Sequence, residues 1–207
     1  LGDASESALS SVDDVLLGEA FLREVRARQG ALEDPEVEEY INSLGFRLVQ
    51  ASGDGNRAFT FLVLEEPIIN AFAGPNGVIG INTGLILAAR TESELAAVLA
   101  HEIVHVTQRH LARSIQLSEA SSIPAMAGIL AALILASQSP KAGQAGLVAV
   151  SGAQIQQQID FIRANEREAD RIGIEILASA RFDPGAMPTF FEQLQEAQRY
   201  YRAPPEF

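Results

Sequence analysis

The hydrophobic pattern of the first part of the chain predicts two helices followed by strands. Apolar side chains recur at helical spacing over residues 5–29 and 35–51. Pro35 suits the first turn of the second helix, where its missing N–H costs nothing. The segment FTFLVL at 59–64 alternates as a strand does, and residues 68–82 hold β-prone runs broken by glycine and proline. That break predicts a hairpin.

The pattern of the second half is helical almost throughout. It predicts one long helix over residues 91–118, which Thr91 and Glu94 begin as a capping box. Residues 159–200 hold a helix that ends near 179 and a last helix after Pro184. The elements predict a helix-rich α+β domain with a small β-sheet.

Two short apolar segments, 123–137 and 142–157, separate these helices and predict an apolar helical hairpin over 123–157. The first is 14 residues long in its apolar part, IPAMAGILAALILA, whereas a membrane span needs ~20. We expect a mobile lid over a cleft or a buried hairpin; a surface for unfolded clients is the alternative. No internal repeat or linker divides residues 1–207, so a single domain is expected.

Composition and charge exclude some classes of function. The net charge is −12, and the chain has no cysteine and three histidines. Nucleic-acid binding is not expected, because phosphate contacts need a basic face. The absence of cysteine fits an oxidising compartment. The polar start at Leu1 shows no signal-peptide pattern, so we expect a mature or trimmed form.

The run HEIVH carries the chemistry. His101 and His105 lie four residues apart, so on a helix both imidazoles share one face and can reach one ion. Glu102 is rotated aside but close enough to touch a water bound to that ion. The pattern is that of a zincin: two nitrogen ligands and a general base on one helix. The alternative is a helix with two chance surface histidines.

A third protein ligand must come from elsewhere. His110 lies nine residues after His101, which on a straight helix puts it on the opposite side. It is therefore predicted to be a surface or capping histidine, and the third ligand a carboxylate.

The helix NEREADRIGIEIL offers that carboxylate. Glu166 and Asp170 fall on its apolar stripe, and charges on a buried face need an ion or a partner. We predict Glu166 as the ligand, with Asp170 accepting a hydrogen bond from a ligand histidine. An ion pair with Arg163 or Arg167 is the alternative.

These motifs together carry a family resemblance. HEIVHVTQRH, NEREADRIG and INAFAGPNGVIGINTGLI resemble the gluzincin HEXXH metallopeptidases, as do YINSLGFRLV and RFDPGAMPTFFEQL. The resemblance implies one Zn²⁺ bound by His101, His105 and Glu166. It also implies that Glu102 is the catalytic base and that Asp170 supports the site. The fold it implies is a zincin-like metalloprotease domain.

Gluzincins commonly align an extended peptide along an exposed strand by strand addition. In this chain Asn70, Ala71, Phe72 and Ala73 resemble that strand. We therefore predict that they bind substrate, with an ordinary hairpin as the alternative.

The resemblance also implies a biological setting. The chain is similar to bacterial members of the family that act in the periplasm as zinc endopeptidases on misfolded or stalled outer-membrane proteins. Their tetratricopeptide repeats would link them to the outer-membrane assembly machinery, with peripheral membrane contact. Because relatives continue past Phe207 and no oxyanion-stabilising residue is evident, we expect the domain alone to be a weak protease. The alternative is a chaperone-like client-binding module with a silenced zinc site.

Overall fold

The protein is a helix-rich α+β domain with a small sheet, which confirms the predicted fold class. The computed structural model describes residues 11–28, 30–117 and 152–200. The predicted apolar hairpin at 123–157 lies outside the described residues up to residue 151. From Gly152 onward the chain is already part of a helix.

Two helices begin the described fold. Helix α1 spans Ser11–Arg28, and α2 spans Pro35–Ser52. The Asp34 carboxylate caps α2 by accepting hydrogen bonds from the first-turn N–H groups, at 3.0 Å from the nitrogen of Glu36. Pro35 occupies the first turn, where no N–H is needed. The apolar face of α2 packs into the main core against the sheet.

The sheet has three strands, β1 (Thr60–Leu64), β2 (Ala71–Ala73) and β3 (Val78–Asn82). Strand β3 lies in the middle, parallel to β1 and antiparallel to β2. One turn of 3₁₀ helix, Pro75–Gly77, joins β2 to β3. Strand β2 is therefore an edge strand with no strand on its other side among the described residues.

Glycine makes the turn after β2 possible. Gly77 has φ +71°, and a Cβ there would lie 2.0 Å from the carbonyl oxygen of Ala58. Gly80 lies opposite Phe72 across the hairpin, and the Phe72 ring covers the space that a Gly80 Cβ would fill. The position of β2 thus depends on backbone that only glycine can supply.

The segment predicted as one helix over residues 91–118 is broken. After α3 (Thr83–Ala88), helix α4 spans Glu92–Thr107 and α5 spans His110–Leu117. Arg109 lies between α4 and α5 with φ +54°, in the left-handed region. The single-helix prediction was wrong because neither glycine nor proline marks the break. A left-handed arginine turns α5 away from the axis of α4.

The start of α4 follows the predicted capping signal in part. The Thr91 hydroxyl accepts a hydrogen bond from the Glu94 N–H at 3.2 Å. The Glu94 carboxylate, however, accepts from the N–H of Arg90 at 2.6 Å, rather than from that of Thr91. The return bond of the box has moved one residue toward the N-terminus.

Two further helices complete the fold, α6 (Gly152–Ser179) and α7 (Ala186–Tyr200). Helices α4 and α6 pack closely, because Gly173 of α6 lies against the backbone of Ala100 and His101. A Cβ on Gly173 would be 3.5 Å from the His101 nitrogen. This contact brings the polar residues of α6 next to those of α4. Within the described ranges, no helix is both long and apolar enough to cross a membrane.

Candidate metal centre and active site

Helix α4 presents two histidines to one point. His101 and His105 lie one turn apart, and their Nε2 atoms are 3.0 Å from each other. His101 is buried and His105 is partly buried, since α4 runs through the core with its neighbouring residues covered. Two ring nitrogens at this separation can both act as ligands of one metal ion placed between them.

Helix α6 adds a carboxylate to the same point. The Glu166 Oε2 atom lies 3.4 Å from the Nε2 of His101, and its Oε1 atom lies 3.7 Å from the Nε2 of His105. In a tetrahedral zinc site with bonds of ~2.0–2.1 Å, ligand atoms lie roughly 3.3 Å apart. All three residues have a ligand atom within 4.8 Å of the others, and no other such group occurs among residues 11–28, 30–117 and 152–200. The donor set fits a tetrahedral metal ion.

The carboxylates of α6 are less buried than the apolar stripe predicted. Ala169 and Gly173 are buried, but the side chains of Glu166 and Asp170 are each 51% exposed. They lie at the edge of the stripe and face an open cleft. Both contact histidines, rather than Arg163 or Arg167.

Asp170 orients the first histidine. Its Oδ1 atom lies 3.0 Å from the Nδ1 of His101. A carboxylate can only accept here, so one ring proton sits on Nδ1, and Nε2 is the nitrogen that faces the metal position. Burial alone would lower the pKa of His101, but the hydrogen bonds to Asp170 and Glu166 raise it to about 10. A metal at this site therefore displaces a strongly held proton.

Glu102 lines the same cleft as His101, His105 and Glu166. Burial raises the pKa of Glu102 to about 7, against the opposing effects of His101 and of a hydrogen bond from the Ala73 backbone N–H. The edge strand β2 thus contacts the predicted base directly.

His110 is not on the opposite side of the helix, so the prediction of a surface or capping histidine was wrong. It is 4% exposed, and its Nδ1 atom lies 2.8 Å from the Nδ1 of His105. Its Nε2 atom lies 3.0 Å from the Oε2 of Glu168, which also accepts from Arg113. Burial lowers the pKa of His110. The break at Arg109 brings this ring back toward α4.

A cleft of about 590 Å³ opens above His101, His105 and Glu166. One wall is α4 and α6, and the other is β2 with the turn that follows it. The cleft lining includes Asn70, Ala71, Phe72, Ala73, His101, Glu102, His105, Arg109, His110 and Glu166. The structure therefore brings together every residue predicted for the site, with Asp170 behind His101.

The hydrogen bonds of the hairpin show which groups of β2 face that cleft. The Gly74 N–H donates to the Val78 carbonyl at 2.7 Å, and the Asn70 carbonyl accepts from Asn82 at 3.1 Å. Pairing alternates along an antiparallel strand. The backbone groups of Ala71 therefore point away from β3, into the cleft.

Comparison with known proteins agrees with this geometry. The family model described as "Peptidase family M48" matches residues 34–206. A putative beta-barrel assembly-enhancing protease of Vibrio cholerae is 44% identical over 99% of this chain and 42% of its own length. The beta-barrel assembly-enhancing protease of Escherichia coli K12 is 41% identical over 100% of this chain and 42% of its own.

A more distant relative is the mitochondrial metalloendopeptidase OMA1 of Schizosaccharomyces pombe, which is 30% identical over 77% of this chain and 44% of its own length. The chain thus spans less than half the length of each of these curated relatives. The family match covers most of the chain, and the relatives' names agree with the predicted enzyme class, a metalloendopeptidase. The chain belongs to peptidase family M48.

Proposed function

We propose that this domain is a zinc-dependent endopeptidase that cleaves misfolded or stalled outer-membrane proteins. The observation that carries the proposal is the convergence of His101, His105 and Glu166 on one point, with Glu102 beside it. The donor set, two imidazoles and one carboxylate with room for a fourth ligand, is that of catalytic rather than structural zinc.

The chemistry divides between the ion and the chain. Zinc, when bound, would polarise a peptide carbonyl and lower the pKa of a water toward ~7. Glu102 accepts the proton of the attacking water and passes it to the amine nitrogen that leaves. Asp170 keeps the proton of His101 on Nδ1, so that Nε2 stays available as a ligand.

The substrate would bind as an added strand along β2. The outward backbone N–H and C=O of Ala71 are suited to pair with an extended peptide. The Ala73 N–H already bonds Glu102, so a peptide paired with β2 runs directly past the base. The Phe72 ring lies over Gly80 and packs edge-to-face with the Phe21 ring, with the ring centroids 5.8 Å apart, which holds β2 in place.

The setting of the whole protein is also a proposal. The relatives' names refer to β-barrel assembly, which supports a periplasmic location and unfolded or misassembled outer-membrane proteins as substrates. Contact with the outer-membrane assembly machinery and peripheral contact with the membrane belong to the same proposal.

Proteolysis by the wild type and Glu102→Gln tests the proposal. Glutamine keeps the shape of the side chain but cannot accept the proton. The wild type should bind one zinc per chain and degrade an unfolded outer-membrane β-barrel protein. Glu102→Gln should keep its zinc, and its peptidase activity should fall by ~10²–10⁴-fold.

The outcomes separate enzyme from chaperone. A wild type that holds zinc and suppresses aggregation of the same client without cleaving it would support the client-binding module instead. Cleavage that survives Glu102→Gln would reject the mechanism.

A further inference from the structure

The second ligand histidine has a support that the first does not share. Behind His101 stands a single carboxylate, that of Asp170. His105 is instead followed by three groups linked by hydrogen bonds: the ring of His110, then the carboxylate of Glu168, then the guanidinium of Arg113. This hydrogen-bonded path joins α4, α5 and α6.

The direction of the hydrogen bonds follows from the ligand role of His105. A metal needs the lone pair of Nε2, so the ring proton must be on Nδ1. That proton can only be donated to the Nδ1 atom of His110, at 2.8 Å. His110 then carries its own proton on Nε2, which donates to Glu168 at 3.0 Å. Every ring nitrogen in the path has one assigned role.

The reverse direction is incompatible with metal binding. If His110 donated from Nδ1, the proton of neutral His105 would lie on Nε2, facing the metal position. It would also leave the His110 Nε2 lone pair against the carboxylate of Glu168. The negative charge of Glu168 therefore selects the direction that opens His105 to the ion.

The far end of the path is anchored. Arg113 donates through Nη2 to both Glu168 and the Asn165 side-chain oxygen, the latter at 3.0 Å. His110 is 4% exposed and Asn165 is 6% exposed, so water competes little for these bonds. Both nitrogens of His110 are engaged away from the metal point, which excludes it as a direct ligand.

We propose that His110 is a positioning residue for the metal centre, and that Glu168 and Arg113 complete a relay that fixes the tautomer and ring orientation of His105. The inference rests on the metal site proposed above. It assigns a task to the break at Arg109, since a continuous helix would carry His110 away from His105.

Zinc affinity, measured by competition with a chelator, is the first test. His110→Ala should weaken zinc binding by ~10–100-fold, as the loss of such outer partners typically does. His110→Gln should recover part of it, because an amide oxygen can accept from His105 while the amide NH₂ donates to Glu168. Glu168→Gln should fall between them. Glu175→Gln is the matched control on α6, since Glu175 is exposed and, within the described part of the chain, forms its ion pair with exposed Arg171. Its zinc affinity should stay unchanged.

The proton on His105 gives a second readout that general destabilisation does not imitate. In the cobalt-substituted wild type, the ring N–H protons of both ligand histidines should appear as shifted, slowly exchanging proton resonances. His110→Ala should abolish or broaden one of them and leave the other, held by Asp170. The expected result is loss of one resonance in His110→Ala and its return in His110→Gln.

The outcomes separate the relay from the site itself. If wild-type protein binds no zinc, the proposed function fails. If it binds zinc and His110→Ala keeps both the affinity and both resonances, only the relay is overturned. Should His110→Ala fail to fold, Glu168→Gln decides by the same two measurements, and unchanged affinity with both resonances would overturn the relay.

Discussion

The two walls of the cleft are built from different parts of the chain. The proposed metal wall, formed by α4 and α6, would act through side chains: two imidazoles, two carboxylates and the base. The proposed substrate wall, formed by β2 and the turn to β3, would act through backbone groups. Most substitutions at the site change the chemistry of a wall of side chains. A wall of backbone changes only when a substitution moves the main chain or removes a backbone N–H.

The walls also differ in what holds them in place. The metal wall depends on the close approach of α6 to α4 at Gly173. The substrate wall depends on a short edge strand, on Gly77 and on the Phe72 ring over Gly80. The predictions below break one wall while leaving the other.

The largest effect is expected at the metal wall. Glu166→Ala removes the ligand that we propose for α6. It should lower zinc affinity by more than ~100-fold, since loss of a group that only hydrogen-bonds a ligand typically costs ~10–100-fold. Peptidase activity should fall with it. Zinc content after dialysis, together with activity, measures both. Glu175→Ala, on an exposed face of the same helix, should retain its metal; equal retention by both variants would remove Glu166 from the ligand set.

The next effect concerns the turn of the substrate wall. Gly77→Ala meets both left-handed strain and the Ala58 carbonyl at 2.0 Å, so it should cost about 2–4 kcal/mol of unfolding free energy. Gly53→Ala is the matched control: its φ is +78°, but nothing lies within 4 Å of the added Cβ. It should cost only about 1 kcal/mol. Denaturant unfolding compares them, and equal losses would show that the close contact with Ala58 is unimportant.

The smallest effect tests strand addition alone. Ala71→Pro removes one outward N–H and leaves the pairing with β3 intact, as an edge position allows. One lost hydrogen bond of ~0.5–1.5 kcal/mol should raise KM for an extended peptide about 2–10-fold, with zinc content unchanged. Ala71→Ser keeps the N–H and serves as control. Peptide kinetics that do not distinguish proline from serine would argue against pairing at this position.

The metal wall could be predicted from the sequence because its geometry is local. The spacing of His101 and His105 fixes their common face on any helix, and the same spacing relates Glu166 to Asp170. The helix that packs against α4 was inferred from its apolar stripe, which carries Glu166 and Asp170. The expected burial of those carboxylates was wrong, because the helical pattern gives the face of a residue but not the open cleft in front of it.

His110 could not be placed correctly because its position depends on one backbone angle. Arg109 has no intrinsic preference for positive φ, so no residue type announces the break. Tertiary contacts on α5 decide it: Ala112 and Ile115 are buried against Leu17 of α1. The spacing of nine residues between His101 and His110, read on a straight helix, gave the opposite answer.

Because the hydrogen bond from Ala73 to Glu102 comes from the backbone, the side chain at position 73 can change during evolution while the bond is kept. Its donor is a main-chain N–H, which nineteen of the twenty amino acids supply alike. Drift at position 73 can therefore change the shape of the cleft, and so the choice of peptide, without removing the contact on the base. Only proline would remove it. Substrate preference and proton transfer therefore both involve residue 73, but the first depends on its side chain and the second on its backbone N–H.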